Sequence, residues 1–276
     1  MYRKSINWPN KSKCAVSITI NLSAELFWLQ LDQTCYDKPK TLSMGQYGMT
    51  NGLKRVLDTL DQKNIKATFF VPGKVAELYP LEMQDVLNRN HEIACSGYDY
   101  INLGIEDPIC QENDISRGVN AIKKICNMTP LGFRAPVGEL SKETLRIAHK
   151  YGMKYSSNLS DDDRPYYLDI GSEMKMLEIP IHWSLYDFPY FAFNYRPAFP
   201  IGQGRLANYS GVLSNWIDEF EGFYEYGLCY VLQLEPQTIG NPGRIRILED
   251  TLNYITQKNN VWIATGQEIY EYMENK

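Results

Sequence analysis

Hydrophobic positions alternate between two spacings along almost the whole chain. Short runs rich in β-branched residues, such as Cys14–Asn21, predict buried strands, and a spacing of three to four residues, as over 51–62, predicts amphipathic helices. Further strands are predicted at 67–71, 91–95, 132–135, 154–157, 177–181, 229–234 and 261–264. Further helices are predicted at 81–88, 114–126, from Ser141 onwards, around 213–224, at 244–255 and at 267–273.

This alternation predicts the fold class. Strands that alternate with helices form parallel sheets with crossover helices, and about seven such units favour a closed α/β barrel, a distorted (β/α)7-8 barrel, over an open sheet. Residues 156–204 depart from the rhythm, being rich in Asp, Pro, Tyr, Phe and Trp, and we expect an irregular excursion there. With neither a repeat nor a linker, residues 1–276 are expected to form one domain.

Composition narrows the classes of partner. Of the 276 residues 44% are hydrophobic and 22% charged, and the net charge of −5 argues against nucleic acid. No apolar run has the length of a membrane span, and the basic start of the chain is followed by only a strand-length apolar stretch. We therefore expect a cytoplasmic protein. The six cysteines form no CxxC pair and are expected to be reduced and mostly buried, with a reactive Cys95 as the alternative.

Several motifs occur in a fixed order. Trp8-Pro9 precedes the first strand, Gly45-Gln46-Tyr47-Gly48 precedes the helix at 51–62, and Phe133-Arg134-Ala135-Pro136 follows in mid-chain. Later come SSNLSDDDRPY (156–166), LYDFPYF (185–191) and PQTIGNPGRI (236–245). In this order they resemble the polysaccharide deacetylase (NodB-homology, carbohydrate esterase family 4) superfamily. The later strings resemble its cytoplasmic branch, which includes metal-independent allantoinase. The resemblance implies a distorted barrel with its site at the C-terminal ends of the strands.

The sequence departs from this family at the metal ligands. Members that use a metal take Asp from the end of the first strand, where this chain has Asn21 and Ser23. They take two His from a His-Gly-Tyr-x-His segment, which here reads Ser96-Gly97-Tyr98-Asp99-Tyr100, and their late His-Pro is Glu235-Pro236. No metal and no other cofactor are therefore expected. Two alternatives stay open: His182, unlike His91 and His149, could reach the site, or Glu25, Asp99 and Glu235 could hold a hard cation.

Hydrolysis without a metal needs a base, an acid and donors for the developing oxyanion. Glu25 and Glu235 follow different strands, and we expect them to face one another as an acid–base pair. Arg134 is the predicted cation that orients a carboxylate or stabilises the oxyanion. The alternative for Glu25 is a buried partner of Arg134 or of a backbone amide. The predicted substrate-binding residues are Asn21, Ser96, Tyr98, Tyr100, Trp183, Asp187 and Glu139, although Trp183 and Asp187 could simply pack under the long loop.

Arg164 is expected to pair with one of the acids Asp161, Asp162 and Asp163 that precede it.

The leading functional expectation is a metal-independent hydrolase of a non-peptide C–N bond, an amide or a cyclic amide or imide, in a small-molecule substrate. One alternative is a catalytically inactive pseudo-deacetylase that binds a ligand or partner. Another is a barrel recruited to a biosynthetic condensation or cyclisation. Relatives in the resembling branch suggest a homo-oligomer, and neither a nucleic-acid nor a membrane partner is expected.

Overall fold

The computed structural model describes residues 5–201 and 206–276. Its centre is one curled sheet, in which the described strands run parallel except for a single antiparallel pair. In sheet order they are β6-β7-β5-β4-β3-β2-β1-β8, and β9 pairs with the start of β1. The bounds are β1 Cys14–Asn21, β2 Thr68–Val71, β3 Glu92–Cys95, β4 Gly132–Phe133, β5 Tyr155–Ser156, β6 Tyr166–Gly171, β7 Met174–Glu178, β8 Cys229–Leu234 and β9 Val261–Ile263.

Helices cover the outside of this sheet, and most of them follow a strand. Two helices begin with a reciprocal cap, in which Ser141 pairs with Thr144 and Thr265 pairs with Glu268. The helices are α1 Leu26–Leu31, α2 Pro39–Tyr47, α3 Leu53–Gln62, α4 Gly73–Leu78, α5 Pro80–Asn88, α6 Pro108–Cys126, α7 Lys142–Lys150, α8 Phe188–Phe191, α9 Tyr209–Tyr226, α10 Pro236–Ile239, α11 Ile245–Gln257 and α12 Gly266–Glu274. The predicted distorted α/β barrel is confirmed. The helices α3, α5, α6, α7, α9, α11 and α12 lie close to the predicted ranges, whereas α1, α2, α4, α8 and α10 were not predicted.

The two faces of β1 explain where the site lies. Val16, Ile18 and Ile20 belong to the core layer between sheet and helices. The alternate residues face the barrel interior, because successive side chains of a strand point to opposite faces. These inward residues change along the strand from Ala15, which packs in a small apolar interior cluster, through Ser17 and Thr19 to Asn21. Along β1 the inward side chains therefore change from apolar to polar toward the C-terminal end of the strand.

Part of the segment predicted as irregular is regular. Between 166 and 178 the chain forms the antiparallel hairpin β6–β7, whose turn places Ser172 and Glu173 in the left-handed region at φ 53° and 63°. Neither residue is typical of such a turn, so the hairpin was not predicted from the sequence. The rest of the excursion follows no regular pattern apart from short helical turns, and its predicted end, 202–204, lies outside the described residues.

The same excursion closes the barrel beside β8. Tyr186 pairs with Gln233 as a parallel bridge, and the Asp187 N–H donates to the Gln233 carbonyl at 3.1 Å. The residues after the hairpin therefore take the place of a strand along the edge of β8. This contact carries Tyr186 and Asp187 to the C-terminal end of that strand.

The structure also shows the surroundings of Arg164, the state of the cysteines and the character of the helices. Arg164 Nε lies 3.1 Å from Asp162 Oδ1, which confirms the predicted pairing with one of the acids. All six cysteines are free thiols, and five are buried while Cys110 is exposed. Across the described ranges, none of the helices combines the length and the apolar character needed to cross a membrane.

Two glycines provide a test of the close packing next to β8. A methyl group at Gly52 would overlap the Pro236 carbonyl oxygen, whereas one at Gly222, within α9, would meet nothing within 4 Å. We expect Gly52→Ala to lower the free energy of unfolding by about 1–3 kcal/mol, the usual cost of overpacking. Gly222→Ala is expected to leave it unchanged or to raise it by up to about 1 kcal/mol. Urea unfolding of both variants measures this, and equal stabilities would contradict the packing described.

Candidate active site

Polar side chains line a cavity of about 210 Å³ at the C-terminal mouth of the barrel. Each follows the end of a strand or lies in the segment beside β8, as parallel-strand barrels generally arrange their sites. Of the residues predicted from the sequence, five line this cavity: Asn21, Ser96, Tyr100, Arg134 and Trp183. Tyr186, Asn158, Ser160 and Gln233 add further polar groups.

Arg134, directly after β4, is a buried cation that links three strands. It is 4% exposed and lies over the Phe70 ring at 4.1 Å. It donates to the Ser157 carbonyl at 3.0 Å and hydroxyl at 2.7 Å, to Thr19 Oγ1 at 2.9 Å and to Asn21 Oδ1 at 3.0 Å. Burial lowers its pKa to about 10, so the guanidinium stays charged at neutral pH. Since Asn21 Oδ1 is occupied, the amide N–H groups of Asn21 are left to donate into the cavity.

Glu235, at the end of β8, is a fully buried carboxyl inside a cage of donors. Ser23 Oγ donates to Oε2 at 2.5 Å, Gln237 Nε2 donates to the same oxygen at 3.2 Å, and the Tyr186 hydroxyl donates to Oε1 at 2.8 Å. Burial raises the pKa of Glu235 to about 7, although the three donors and the charge of Arg134 act in the opposite direction. This carboxyl can therefore both take up and release a proton near neutral pH.

Two tyrosines, Tyr100 and Tyr186, line the cavity and lie near Glu235. Tyr186 lines the cavity and donates to Glu235, and Tyr100 lines it as well. Burial, followed by the neighbouring charge of Glu235, raises the pKa of both phenols well above the ordinary value. Both hydroxyls therefore stay protonated. Glu235 itself does not line the cavity, and among the described lining residues Tyr186 is the one hydrogen-bonded to its carboxyl.

Two further carboxyls hold the walls in place. Asp187 accepts the Glu235 backbone N–H at 2.9 Å and the Thr238 hydroxyl, and burial raises its pKa well above the ordinary value. Glu178 accepts the backbone N–H groups of Asn158 at 2.5 Å and Leu159 at 2.7 Å. Burial raises the pKa of Glu178 to about 7, against the effect of those donors. Asp187 thus fixes the turn that carries Glu235, and Glu178 fixes Asn158 on the cavity wall.

Glu25 and Glu235 were expected to face one another as an acid–base pair, and the structure does not bring them together. Glu25 immediately precedes α1, and its Oε1 accepts from the Tyr79 hydroxyl at 2.5 Å, while its Oε2 is buried without a partner. The two glutamates share no hydrogen-bond partner within the described ranges. The alternative, in which Glu25 is the partner of Arg134, does not form either, because Arg134 bonds to neutral groups.

Three predicted substrate-binding residues lie outside the cavity. Tyr98 donates to Glu77 at 2.7 Å and stacks under the Arg117 guanidinium, whose carbon lies 3.8 Å from the ring centroid. Asp187 is fully buried against the turn after β8. Glu139 lines a neighbouring chamber of about 610 Å³, between α7 and the hairpin, that shares Gly138, Leu140 and Asn158 with the cavity.

The residues at the barrel mouth do not fit the metal that the resembling family uses. The stretches covered by the structure contain no cluster of three or more His, Cys, Asp and Glu side chains placed to hold an ion. Asp99 pairs with Lys74 and Arg117, each at 2.9 Å, so it does not join Glu25 and Glu235 in a cation site. Neutral amide and hydroxyl groups occupy the mouth instead, and Zn²⁺ binds these poorly.

The remaining candidates from the sequence have structural partners. His182 Nε2 lies 2.8 Å from Asp163 Oδ1 and does not line the cavity. His91 accepts the Ala67 N–H through Nδ1 at 3.2 Å, and burial lowers its pKa to about 4. Burial raises the pKa of Cys95 to about 12, so this thiol is a poor nucleophile at neutral pH.

Tyr186 and Glu178 were not predicted from the sequence as residues of the site. Tyr186 belongs to the string 185–191, but only the pairing of that string with β8 puts its hydroxyl on Glu235. Glu178 is the second residue of the strand predicted at 177–181 and the last residue of the observed β7, and nothing in its local pattern marks it as buried. Ser23 was noted for replacing a carboxylate, and its contact with Glu235 gives that replacement a role.

Comparisons with known proteins agree with the geometry. The polysaccharide deacetylase family model matches residues 37–156. A crystal structure of a putative polysaccharide deacetylase from Mycobacterium smegmatis is 30% identical, with a TM-score of 0.94 over 100% of this chain and 95% of that one. A peptidoglycan deacetylase of Helicobacter pylori is 26% identical over 84% of this chain and 87% of its own length. The Puue allantoinase structure is 20% identical, with a TM-score of 0.87 over 100% of this chain and 95% of that one, and shares the fold.

The barrel, its mouth and these matches define the class as an α/β-barrel hydrolase family that acts on C–N bonds. The chain belongs to the polysaccharide deacetylase family.

The raised pKa of Glu235 predicts a change of stability with pH. As pH rises from about 4.5 to about 7, the unfolded chain loses the proton of Glu235 while the folded chain keeps it, so the free energy of unfolding falls. Glu235→Gln removes this effect and is expected to reduce the fall by roughly 2–3 kcal/mol. Urea unfolding at several pH values measures it. Glu219→Gln, at an exposed position of α9, should show the same dependence of the free energy of unfolding on pH as the wild type. The same dependence in Glu235→Gln would contradict the raised pKa of Glu235.

Proposed function

We propose that this protein is a metal-independent hydrolase of a non-peptide C–N bond, an amide or a cyclic amide or imide, in a small molecule. The observation that carries the proposal is the buried Glu235, which has a pKa near neutrality and is joined to the cavity by the Tyr186 hydroxyl. It stands in the position where the family keeps its late histidine. A carboxyl poised in this way can serve both halves of a hydrolysis.

The proposed reaction needs one proton to travel in both directions. In the addition step, water attacks the substrate carbonyl, its proton passes to the Tyr186 oxygen, and the Tyr186 proton passes to Glu235. In the cleavage step, the proton returns along the same path to the leaving nitrogen as the C–N bond breaks. Water is consumed, a carboxylic acid and an amine or amide are released, and Glu235 ends in its starting form. Tyr186 is the group that contacts the substrate, and Glu235 acts through it.

The developing oxyanion has a donor on the opposite wall. Asn21 is held by Arg134 so that its amide N–H groups remain for the cavity. The charged Arg134 lies directly behind, in a site from which other side chains exclude water, where its field acts most strongly. Glu25 has no part in this path, because its carboxyl is bound by Tyr79 and does not line the cavity.

The cavity beside Tyr186 and Asn21, taken without the adjoining chamber that Glu139 lines, accommodates only a small reacting group. Its volume of about 210 Å³ lies below the range of roughly 300–1,000 Å³ typical of sites for drug-sized ligands. The name of the Helicobacter pylori relative points to a polymer, and that of the Puue allantoinase points to a small cyclic ureide. A compact polar cavity walled by tyrosines, asparagines and a buried cation favours the second kind of substrate.

The test is turnover by the chelator-treated protein of a panel containing allantoin, hydantoin, simple acetamides and N-acetylglucosamine oligomers. We expect hydrolysis of at least one small amide or cyclic amide without added metal. Tyr186→Phe keeps the ring but removes the hydroxyl, and is expected to lower kcat by about 100-fold, the usual worth of a positioned acid or base. Tyr167→Phe, at a hydroxyl that contacts Glu274 far along the chain, is the matched control and should not change kcat.

Three outcomes would contradict the proposal. Activity that appears only after zinc is added would refute metal independence. Hydrolysis confined to the oligomers would refute the small substrate. If no compound is turned over while the protein still binds one of them, the pseudo-deacetylase alternative takes precedence.

A further inference from the structure

A second cavity, of about 420 Å³, lies between α2, α8 and the start of α11. It shares no lining residue with the cavity at the barrel mouth. We call it the Arg244 cavity, after the residue that precedes α11. Its lining combines polar groups, among them Ser43, Gln237, Asn241 and Arg244, with apolar side chains, among them the rings of Trp28 and Phe191.

Arg244 is a partly buried cation with no anionic partner. One Nη donates to the Phe191 carbonyl at 3.3 Å, and the guanidinium lies 5.4 Å from the centroid of the Phe191 ring. Its Nε is buried and has no hydrogen-bond partner. Among residues 5–201 and 206–276, no carboxylate lies within ion-pair distance of it. A partly desolvated charge without a counter-charge is costly, so the site favours an anion from outside.

The groups that face Arg244 from the neighbouring elements do not supply that anion. Asp187, Tyr47 and Tyr209 are the acidic groups whose charge bears on it. Asp187 is fully buried and bonded to Thr238 and to the Glu235 backbone, and burial raises its pKa well above the ordinary value. Tyr47 and Tyr209 contribute hydroxyl groups and no carboxylate. The cavity therefore has a net positive character.

The remaining lining defines the kind of anion. Ser43 and Asn241 offer further polar groups in the lining of the cavity. The rings of Trp28, Phe191 and Phe193 provide flat apolar walls. We propose that the Arg244 cavity binds a small aromatic carboxylate, with the carboxylate on Arg244 and the ring between these walls.

The cavity adjoins the donor cage of Glu235 through one side chain. Gln237 lines the cavity, accepts from Trp28 Nε1 at 3.1 Å and donates to Glu235 Oε2 at 3.2 Å. Trp28 is therefore a built-in reporter, because its indole lines the cavity. A bound ring is expected to change its fluorescence.

The test uses the full chain, with benzoate as the probe and benzamide as its neutral match. Calorimetric titration, together with tryptophan fluorescence, is expected to show that benzoate binds at least tenfold more tightly than benzamide. Arg244→Gln is expected to reduce benzoate affinity at least tenfold. Arg246→Gln removes the same charge from an exposed position on α11 and should leave the affinity unchanged. Tyr186→Phe should also leave it unchanged, which separates this cavity from the barrel mouth.

A second pair of variants keeps the proposal testable if Arg244→Gln does not fold. Ser43 is exposed on α2 at the edge of the cavity. Ser43→Glu supplies an internal carboxylate and is expected to abolish benzoate binding, whereas Ser43→Gln, of equal size, should retain at least part of it. The proposal is overturned if benzoate does not bind, if benzamide binds equally well, or if Ser43→Glu binds benzoate like the wild type.

Discussion

The desolvation of Glu235 is the constraint around which the mouth of the barrel is organised. A fully buried carboxyl is costly unless donors surround it, and those donors come from three separate parts of the chain. Ser23 follows β1, Gln237 lies in the turn after β8, and Tyr186 lies in the segment that closes the sheet. The cage therefore ties the barrel closure to the chemistry, since the pairing of Tyr186 with β8 also delivers its hydroxyl to Glu235.

Arg134 holds the opposite wall of the cavity together through its hydrogen bonds, as Glu235 does on its own side. It lies next to the polar, C-terminal end of β1, and it bonds to side chains and backbone from β1 and from the end of β5. One buried cation, neutral donors and a carboxyl with a pKa near neutrality are grouped at this mouth. The residues at the positions where the resemblance implies metal ligands or the late histidine bond to one another, as Ser23 does to Glu235, or to Arg134, as Asn21 does.

Much of the fold and part of the candidate site were predictable from the sequence, and the remainder could not be predicted for physical reasons. Strand and helix periodicity located the barrel, and the motif positions placed Asn21, Tyr100 and Arg134 on one cavity. Pairing between distant segments is not encoded in local patterns. The contact of Tyr186 with β8 could not be read from spacing, and neither could the position of Glu25 against Tyr79. Burial that shifts a pKa, as at Glu178, likewise depends on the whole fold.

The most direct test of this account is the ionisation of Glu235 itself. Carbon NMR of protein labelled at the glutamate carboxyls can follow each resonance with pH, and the loss of one signal in Glu235→Gln and of another in Glu178→Gln assigns the two buried groups. The account predicts a midpoint near pH 7 for Glu235, with a hydrogen bond from Tyr186 whose removal in Tyr186→Phe moves that midpoint upwards. A midpoint near the ordinary value of about 4.3, unchanged in Tyr186→Phe, would contradict it.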